Sequence, residues 1–447
     1  MDGWRSSIRL SASAIYIKKP FSPRSSSSIL KGSFHSANRY CTRDRSSTCR
    51  YNRCMTVSAS FTSSEAALLA LRNEFPILST TTYLISNSLG AMPAATKTAL
   101  MEYAEVWNTR GVRAWEETWW MLAAEVGNLI GGLMNAAPDT VSCHQNVTQC
   151  QAAVASCFDF SGKRNKIVYD DMNFPSVMYF WEAQRAHGAR VHMVPTDDGI
   201  HVPLERLLDA IDEETLLVPF SHVCFRSSYI QDAKAIIEKA HKVGALVVLD
   251  AFQSLGTVPV DVTALNADFA TGGVLKWLCG GPGTGYLYVR PDLAKKLQPS
   301  FTGWHAHAEP FAFETGSIRY CDSSYKFLNG THNVPALYAA RPGLKIIAEA
   351  GIGNIRTKSK RQVAKFIAMA ETRGWRVNTP RSPEQRGGTV SLGLPDAYQV
   401  CAELNRRNVL CDYRPKAGVR MAPHFYNTDE EIEYAMDVIE EVLNAKK

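Results

Sequence analysis

The chain has 447 residues, 45% hydrophobic and 21% charged, the balance of an ordinary globular protein with room for two or three domains. No run of about 18 apolar residues occurs, so no segment reads as a membrane-spanning helix. The formal charge of +6 comes from residues 1–60; the remainder holds 38 basic against 41 acidic side chains, which removes the charge argument for nucleic-acid binding.

Residues 1–60 do not read as fold. They hold 11 Lys or Arg, only Asp2 and Asp44 as acids, and 15 serines, among them Ser25 to Ser28. Basic, serine-rich and acid-poor is the composition of an organelle transit peptide, for a mitochondrion or a plastid, and the apolar core of a secretory signal is missing. A disordered tail, with Met55 as an alternative start, is the other reading. Of the 11 cysteines, Cys41, Cys49 and Cys54 lie in this leader. The others are scattered, without C-x-x-C pairs or histidines at metal-binding spacing, so a reducing compartment, no disulfides and no metal are expected. Cys143, Cys150 and Cys157 recur every seven residues, the spacing of one helix face, and read as small buried thiols.

The body begins near Ser63, with a helix expected from Glu65 to Asn73. Thr82 to Gly90 reads as an extended segment ending in a turn, and Pro93 opens a helix through Trp107. Trp107, Trp115, Trp119 and Trp120 read as core or interface, where large aromatics contribute most. Gln145, Asn146, Val147 and Thr148 precede a helix to Cys157; free N–H groups there suit a phosphate, although the same residues also make an ordinary N-cap. From Lys166 strands and helices alternate: strand Ile167–Tyr169, helix Val177–His187, strand Arg190–Val194 and helix Pro203–Ile211. Strand Leu216–Val223, helix Ala233–Lys242 and strand Ala245–Asp250 follow. This alternation predicts an α/β fold with a mainly parallel central sheet. After Pro299 a long loop carries Trp304, His305, His307 and Asn329-Gly330-Thr331. A long helix, Ala336–Ala370 with a break near Gly351, leads to Val377–Asn378, Thr389–Leu394, helix Ala397–Arg407 and helix Asp429–Ala445, a smaller α+β domain. The expected division is therefore a leader at 1–60, a large domain at 61–335, and the linking helix with the small domain at 336–447. Residues 61–110 form an arm shared with the small domain and a dimer contact.

The chemistry concentrates between Asp250 and Arg290. The apolar run Ala245–Leu249 delivers Asp250 at a strand end. Asp268–Thr271 reads as another strand, leading through Gly272 and Gly273 to Lys276. Gly280, Gly281, Gly283 and Gly285 surround Pro282 before the run Tyr286–Val289. In open parallel sheets ligands sit at the carboxyl ends of strands. A lysine amine placed there forms a Schiff base with pyridoxal phosphate, and an aspartate pairs with the protonated pyridine nitrogen. Unrelated surface charges share such a spacing; the apolar and glycine surroundings of Lys276, and the apolar run before Asp250, favour the cofactor. Burial would lower the lysine pKa and make its amine nucleophilic.

From Tyr83 onward the chain resembles the fold-type I, class V aminotransferase group of pyridoxal phosphate enzymes, and within it kynureninase. The stretches that carry this are N-S-L-G at Asn87–Gly90, N-F-P-S at Asn173–Ser176, and the Lys276 loop with G-G-P-G. Further on are T-G-W-H-A-H at Thr302–His307, F-L-N-G-T at Phe327–Thr331, C-D-Y-R-P at Cys411–Pro415, and R-M-A-P-H-F-Y-N-T at Arg420–Thr428. The resemblance implies that Lys276 holds the cofactor covalently and shuttles protons, that Asp250 pairs with the ring nitrogen, and that Phe174 stacks on the ring. Val147 and Thr148 would contact the phosphate, and Ser221, Gln253 and Trp304 would line the cofactor site. Thr331 would reach in from a neighbouring subunit of a homodimer. Arg420 and Asn87 would bind the substrate, Arg420 through the carboxylate that its planar fork of donors suits.

Three positions depart from the kynureninase pattern: Val177 stands where an Asp follows F-P-[ST], Gln253 where D-x-x-H has its His, and Leu275 where a Tyr precedes the lysine. D-x-x-Q is the general class V pattern. These changes leave the cofactor residues in place and bear on the reaction. The expectation is hydrolysis of a β-acyl alanine, as in kynurenine to anthranilate and alanine. Amino transfer or epimerisation of an amino acid is the alternative. Cysteine desulfuration ranks last, because residues 412–419 hold no thiol.

Overall fold

The computed structural model describes residues 65–445; the expected leader lies outside them. In chain order come helix α1 (Glu65–Ala70), strand β1 (Thr82–Tyr83), helices α2 (Ala94–Arg110) and α3 (Trp120–Leu133), and strand β2 (Val141–His144). Then α4 (Val147–Ala155), β3 (Lys166–Asp170), α5 (Pro175–Ala183), β4 (Arg190–Val194), α6 (Leu204–Asp209) and β5 (Thr215–Ser221) alternate. The pattern continues with α7 (Ala233–Lys242), β6 (Leu246–Asp250), β7 (Phe269–Gly273), β8 (Gly285–Val289) and α8 (Pro291–Lys296). Helices α9 (Val334–Ala350) and α10 (Ile352–Thr372) follow the long loop, then β9 (Arg376–Val377), β10 (Val390–Gly393) and α11 (Ala397–Arg406). The last elements are β11 (Val409–Leu410), β12 (Asp412–Arg414), β13 (Gly418–Met421) and α12 (Asp429–Asn444).

Strands β2 to β8 form one seven-stranded sheet in the order β2-β8-β7-β6-β5-β3-β4. Only β8 runs against its neighbours; every other pair is parallel. The central strands are apolar on both faces, as a parallel sheet covered by helices requires: Val247, Val248, Leu249, Leu217 and Val218 are all buried. The chain leaves β3 outward to β4 and returns on the other side as β5, so the order reverses between β3 and β5. Their pairing is confined to Lys166–Thr215 and Ile167–Leu217, with a register shift between them. Such a reversal opens a crevice at the strands' carboxyl ends.

The smaller sheet is antiparallel, β12-β13-β10-β9, with α10 and α11 packed on it and α12 packed against both helices. The N-terminal arm forms a separate two-stranded parallel sheet, β1 pairing with β11, Thr82 opposite Val409. The long helix breaks at Gly351, whose φ of +74° ends α9. Leu337, Leu344 and Ile347 of α9 belong to the core of the large sheet, whereas Val363, Phe366 and Ala370 of α10 belong to the core of the small one. The long helix thus serves both cores, with Ile355 at the start of α10 still in that of the large sheet. An apolar helix stripe reads the same whichever sheet it faces.

Local expectations needed correction in two places, the cysteines and two helix ends. Cys143 lies in β2, Cys150 in α4 and Cys157 beyond it, so the three share no helix. Four residues, V-S-C-H, buried throughout, carry no alternation to mark a strand. The tryptophan-rich stretch contains a five-residue π turn, Trp115–Trp119, that runs into α3; Trp119 is buried while Trp107 is 61% exposed. Helices α1 and α5 end in 3₁₀ turns, shorter than their sequence patterns.

Candidate active site

Register places the first three residues. Ser221 pairs with Asp250 and Asp250 with Thr271, one row across the carboxyl ends of β5 and β6 and the middle of β7. Asp250 is buried, and its carboxylate accepts one hydrogen bond, from Phe252 N at 2.9 Å. Burial pushes its pKa up to about 6, against the pull of Lys276 and of that N–H. Thr271, beside it, is fully buried with its hydroxyl unpartnered. Ser221 donates to Asn173 Oδ1 at 2.9 Å, and Asn173 is held in turn by Asp170.

Beyond β7 the chain turns through Val274 and Leu275 to Lys276, then through Gly281 and Gly283, both at positive φ, where a side chain would be strained. Lys276 Nζ lies 4.2 Å from the centroid of the Phe252 ring and 5.5 Å from that of Phe174. Burial lowers its pKa to about 8, opposed by the charge of Asp250 and assisted by Arg420. The amine is thereby a competent nucleophile near neutral pH.

Ser221, Asp250, Phe252, Phe174 and Lys276 face one cavity of about 250 Å³, lined also by Asn146, Val147, Thr148, Ser176, Val177, Val223, Phe225, Gln253 and Leu275. Helix α4 points its N-terminus into it. Asn146 caps the helix by accepting from Gln149 N at 3.1 Å, and first-turn N–H groups have no intrahelical acceptor. Phe174, at the N-cap of α5, is 42% exposed and meets Phe225 edge-on at 5.2 Å. Pyridoxal phosphate fits this set on three counts. A buried carboxylate has acceptor capacity to spare, a helix start offers N–H groups to a phosphate, and a desolvated amine and an aromatic ring stand between them.

Gln253 lines the cavity but uses its amide elsewhere: Nε2 donates to Asn87 O and Oε1 accepts from Trp277 Nε1, each at 3.0 Å. It thereby ties the N-S-L-G turn to the lysine loop, where Gly90 N also donates to Leu275 O at 2.8 Å. Asn87 is 1% exposed, and both polar atoms of its side chain lack partners. Arg420, on β13, lies outside the cavity lining, behind Phe225. Its Nε and Nη2 donate to Asp412 at 2.8 and 2.5 Å, Nη1 to Phe225 O at 2.6 Å, and Nη2 also to Ser88 Oγ at 3.2 Å.

Trp304 and Thr331 are not brought to the cavity within one chain. Trp304 is 40% exposed and packs with Trp120, His305 and Phe311. Thr331 lines a separate hollow with Gln145, Gln149, Asn329 and His332. Both belong to the loop after α8, whose path no local pattern specifies. Sequence reasoning passed over Thr271, Phe225, Phe252 and the Asp412–Arg420 pair. The T-G-G that closes β7 marks Thr271 as a hydroxyl in its last residues; nothing local relates residue 412 to 420 and 88.

The aminotransferase class-V family matches residues 82–434. Among curated proteins the chain is 33% identical over 369 residues to the uncharacterized aminotransferase YcbU of Bacillus subtilis, covering 82% of this chain and 96% of that one. It is 31% identical over 414 residues to kynureninase of Pseudomonas fluorescens, covering 88% and 96%. Among solved structures, an apo cysteine desulfurase from Thermococcus onnurineus aligns with a TM-score of 0.75 at 22% identity, over 84% of this chain and 98% of that one. A second, a lysine-to-alanine mutant of C-DES with glycine covalently linked to its PLP cofactor, gives 0.75 at 18% identity, over 82% of this chain and 98% of that one. At those identities the structures share the fold.

Proposed function

The chain belongs to the aminotransferase class-V family and works with pyridoxal phosphate; on that premise we propose that it hydrolyses the Cβ–Cγ bond of a β-acyl alanine such as kynurenine. The products are an aromatic acid and alanine. The opening of Asp250 and Lys276 into one cavity carries the cofactor chemistry, and likeness to a kynureninase along nearly its whole length favours hydrolysis within it.

When bound, pyridoxal phosphate supplies an electron sink that makes the substrate's Cα–H acidic. Asp250 would pair with the ring nitrogen and Phe174 would stack on the ring. Val147 and Thr148 would hold the phosphate at the start of α4. Lys276, its pKa brought down to about 8, has the strength to take the Cα proton near neutral pH and to return it. Arg420 would anchor the substrate carboxylate by exchanging the Asp412 and Ser88 partners it holds in the free chain, with Asn87 beside the lysine loop. Water cleaves the bond at the side-chain ketone, its oxygen going to the aromatic acid and its hydrogens to the two products.

Amino transfer is the second reading. Leu275 favours it, since no tyrosine lines the cavity among the described residues, as does the 33% identity to an aminotransferase. Desulfuration is disfavoured: no cysteine lines the cavity among the described residues, and Cys411 is buried against Cys401. We further infer a homodimer in which Trp304 and Thr331 complete the neighbour's site, and import into an organelle directed by residues 1–60. Fluorescence detection of anthranilate released from kynurenine by the purified enzyme tests the reaction. Transfer of the amino group to pyruvate or another keto acid, without anthranilate, would replace hydrolysis with the second reading.

A further inference from the structure

Two cysteines behind the site are in sulfur contact. Cys401, on α11, and Cys411, between β11 and β12, are 6% and 2% exposed. The thiol of Cys411 donates to Cys401 Sγ across 3.7 Å, and Cys401 Sγ lies 3.6 Å from Cys411 O. Asn405 knits the two together: its Nδ2 donates to Cys401 O at 2.9 Å and to Cys411 O at 3.1 Å, and its Oδ1 accepts from Cys411 N at 3.3 Å. The residue after Cys411 is Asp412, whose carboxylate holds both Nε and Nη2 of Arg420 and accepts from Ser88 Oγ at 2.5 Å.

We propose that Cys401 and Cys411 are a reversible redox site, whose oxidation to a disulfide by a small peroxide shifts Asp412 and loosens the grip on Arg420. The coupling to catalysis rests on the reading of Arg420 as the carboxylate anchor; formation of the disulfide does not. The Cys401 thiolate attacks one peroxide oxygen, breaking the O–O bond and leaving a sulfenic acid, with the other oxygen departing as water after protonation. Cys411 sulfur then gives up its proton, attacks the sulfenic sulfur and displaces a second water. Two thiols and one hydrogen peroxide become one disulfide and two waters. The hydrogen bond from Cys411 lowers the Cys401 pKa, which marks Cys401 as the attacking sulfur.

The geometry makes the linkage mechanical. The sulfurs must close from 3.7 Å to a bond of about 2.05 Å. β12 starts one residue beyond Cys411 and pairs Asp412 directly with Arg420. A shift of a few tenths of an ångström there is enough to misalign two hydrogen bonds of 2.8 and 2.5 Å.

The test uses reduced holoenzyme treated with hydrogen peroxide, followed by intact mass, peptide mapping and steady-state kinetics on an amino acid it turns over. The expected result is loss of two hydrogens mapped to a 401–411 cross-link, and a rise in substrate KM of about tenfold with cofactor absorbance unchanged. Dithiothreitol should reverse both. Cys401→Ser should keep the reduced enzyme's KM after peroxide; Cys401→Ala serves if the serine variant folds poorly. Absence of the cross-link at peroxide levels that oxidise other cysteines of the protein overturns the site, and a cross-link that leaves KM unmoved overturns its coupling. Arg420→Lys, assayed alongside, separates the two failures, because an unchanged KM in that variant removes the anchor reading alone.

Discussion

Replacing Asp250 by Asn tests the heart of the site with almost no change of volume. In the native chain the aspartate charge holds the Lys276 pKa up while burial lowers it, to about 8 from 10.5. At pH 7 about a tenth of the amine is then neutral, against roughly one part in 3,000 for an ordinary lysine. Cofactor capture by the apoenzyme needs that neutral amine. Its rate should climb about tenfold per pH unit below 8 and level off above it. Without the aspartate charge the inflection should move below 8, so capture at pH 7 becomes faster. Turnover should move the opposite way. The charge-assisted hydrogen bond to the ring nitrogen is worth about 1.5–3 kcal/mol, and its loss lowers kcat/KM by about 10- to 150-fold. Stopped-flow absorbance between pH 6 and 9, with steady-state kinetics, measures both. An unmoved inflection together with kcat/KM within about twofold of wild type would refute the assignment of Asp250 to the ring nitrogen and to the lysine.

Other substitutions probe the surrounding shell. Lys276→Ala should abolish the absorbance band of the bound cofactor together with turnover, read by spectrophotometry on the purified variant. A Cβ at Gly90 would lie 2.2 Å from Lys276 O and 3.0 Å from Cys279 Cα, both backbone; Gly90→Ala should therefore cost about 1–3 kcal/mol in urea unfolding and weaken cofactor retention. Gln253→Ala strips the acceptor from the buried Trp277 Nε1 and the donor from Asn87 O, an expected loss of about 1–3 kcal/mol in the same assay. Leu275→Tyr brings a phenol to the cavity wall. It should raise kynurenine hydrolysis by at least about tenfold, general acid–base groups commonly contributing 10² or more. An unchanged anthranilate yield would count against hydrolysis as the native reaction.

The parts legible in the sequence are those whose physics is local. Strand and helix alternation from Lys166 to Asp250 is visible because a parallel strand buried on both faces must be apolar throughout. The helix break near Gly351 is visible for a similar reason, since a residue at positive φ ends the helix. Lys276 stands out because a charged side chain among glycines and apolar residues has no other obvious purpose. Strand β2 escaped because four buried residues show no period.

On its own, the order of residues singled out Lys276 and Asp250 as the proposed cofactor pair and determined the α/β class, each through burial patterns spanning a few neighbours. Tertiary structure alone decided the row Ser221–Asp250–Thr271, the tie from Gln253 to Asn87, and the pairing of Arg420 with Asp412 and Ser88 in place of an open clamp. These depend on strand register and on contacts between segments hundreds of residues apart, and chain periodicity carries no information about which distant segment fills a given side of a cavity.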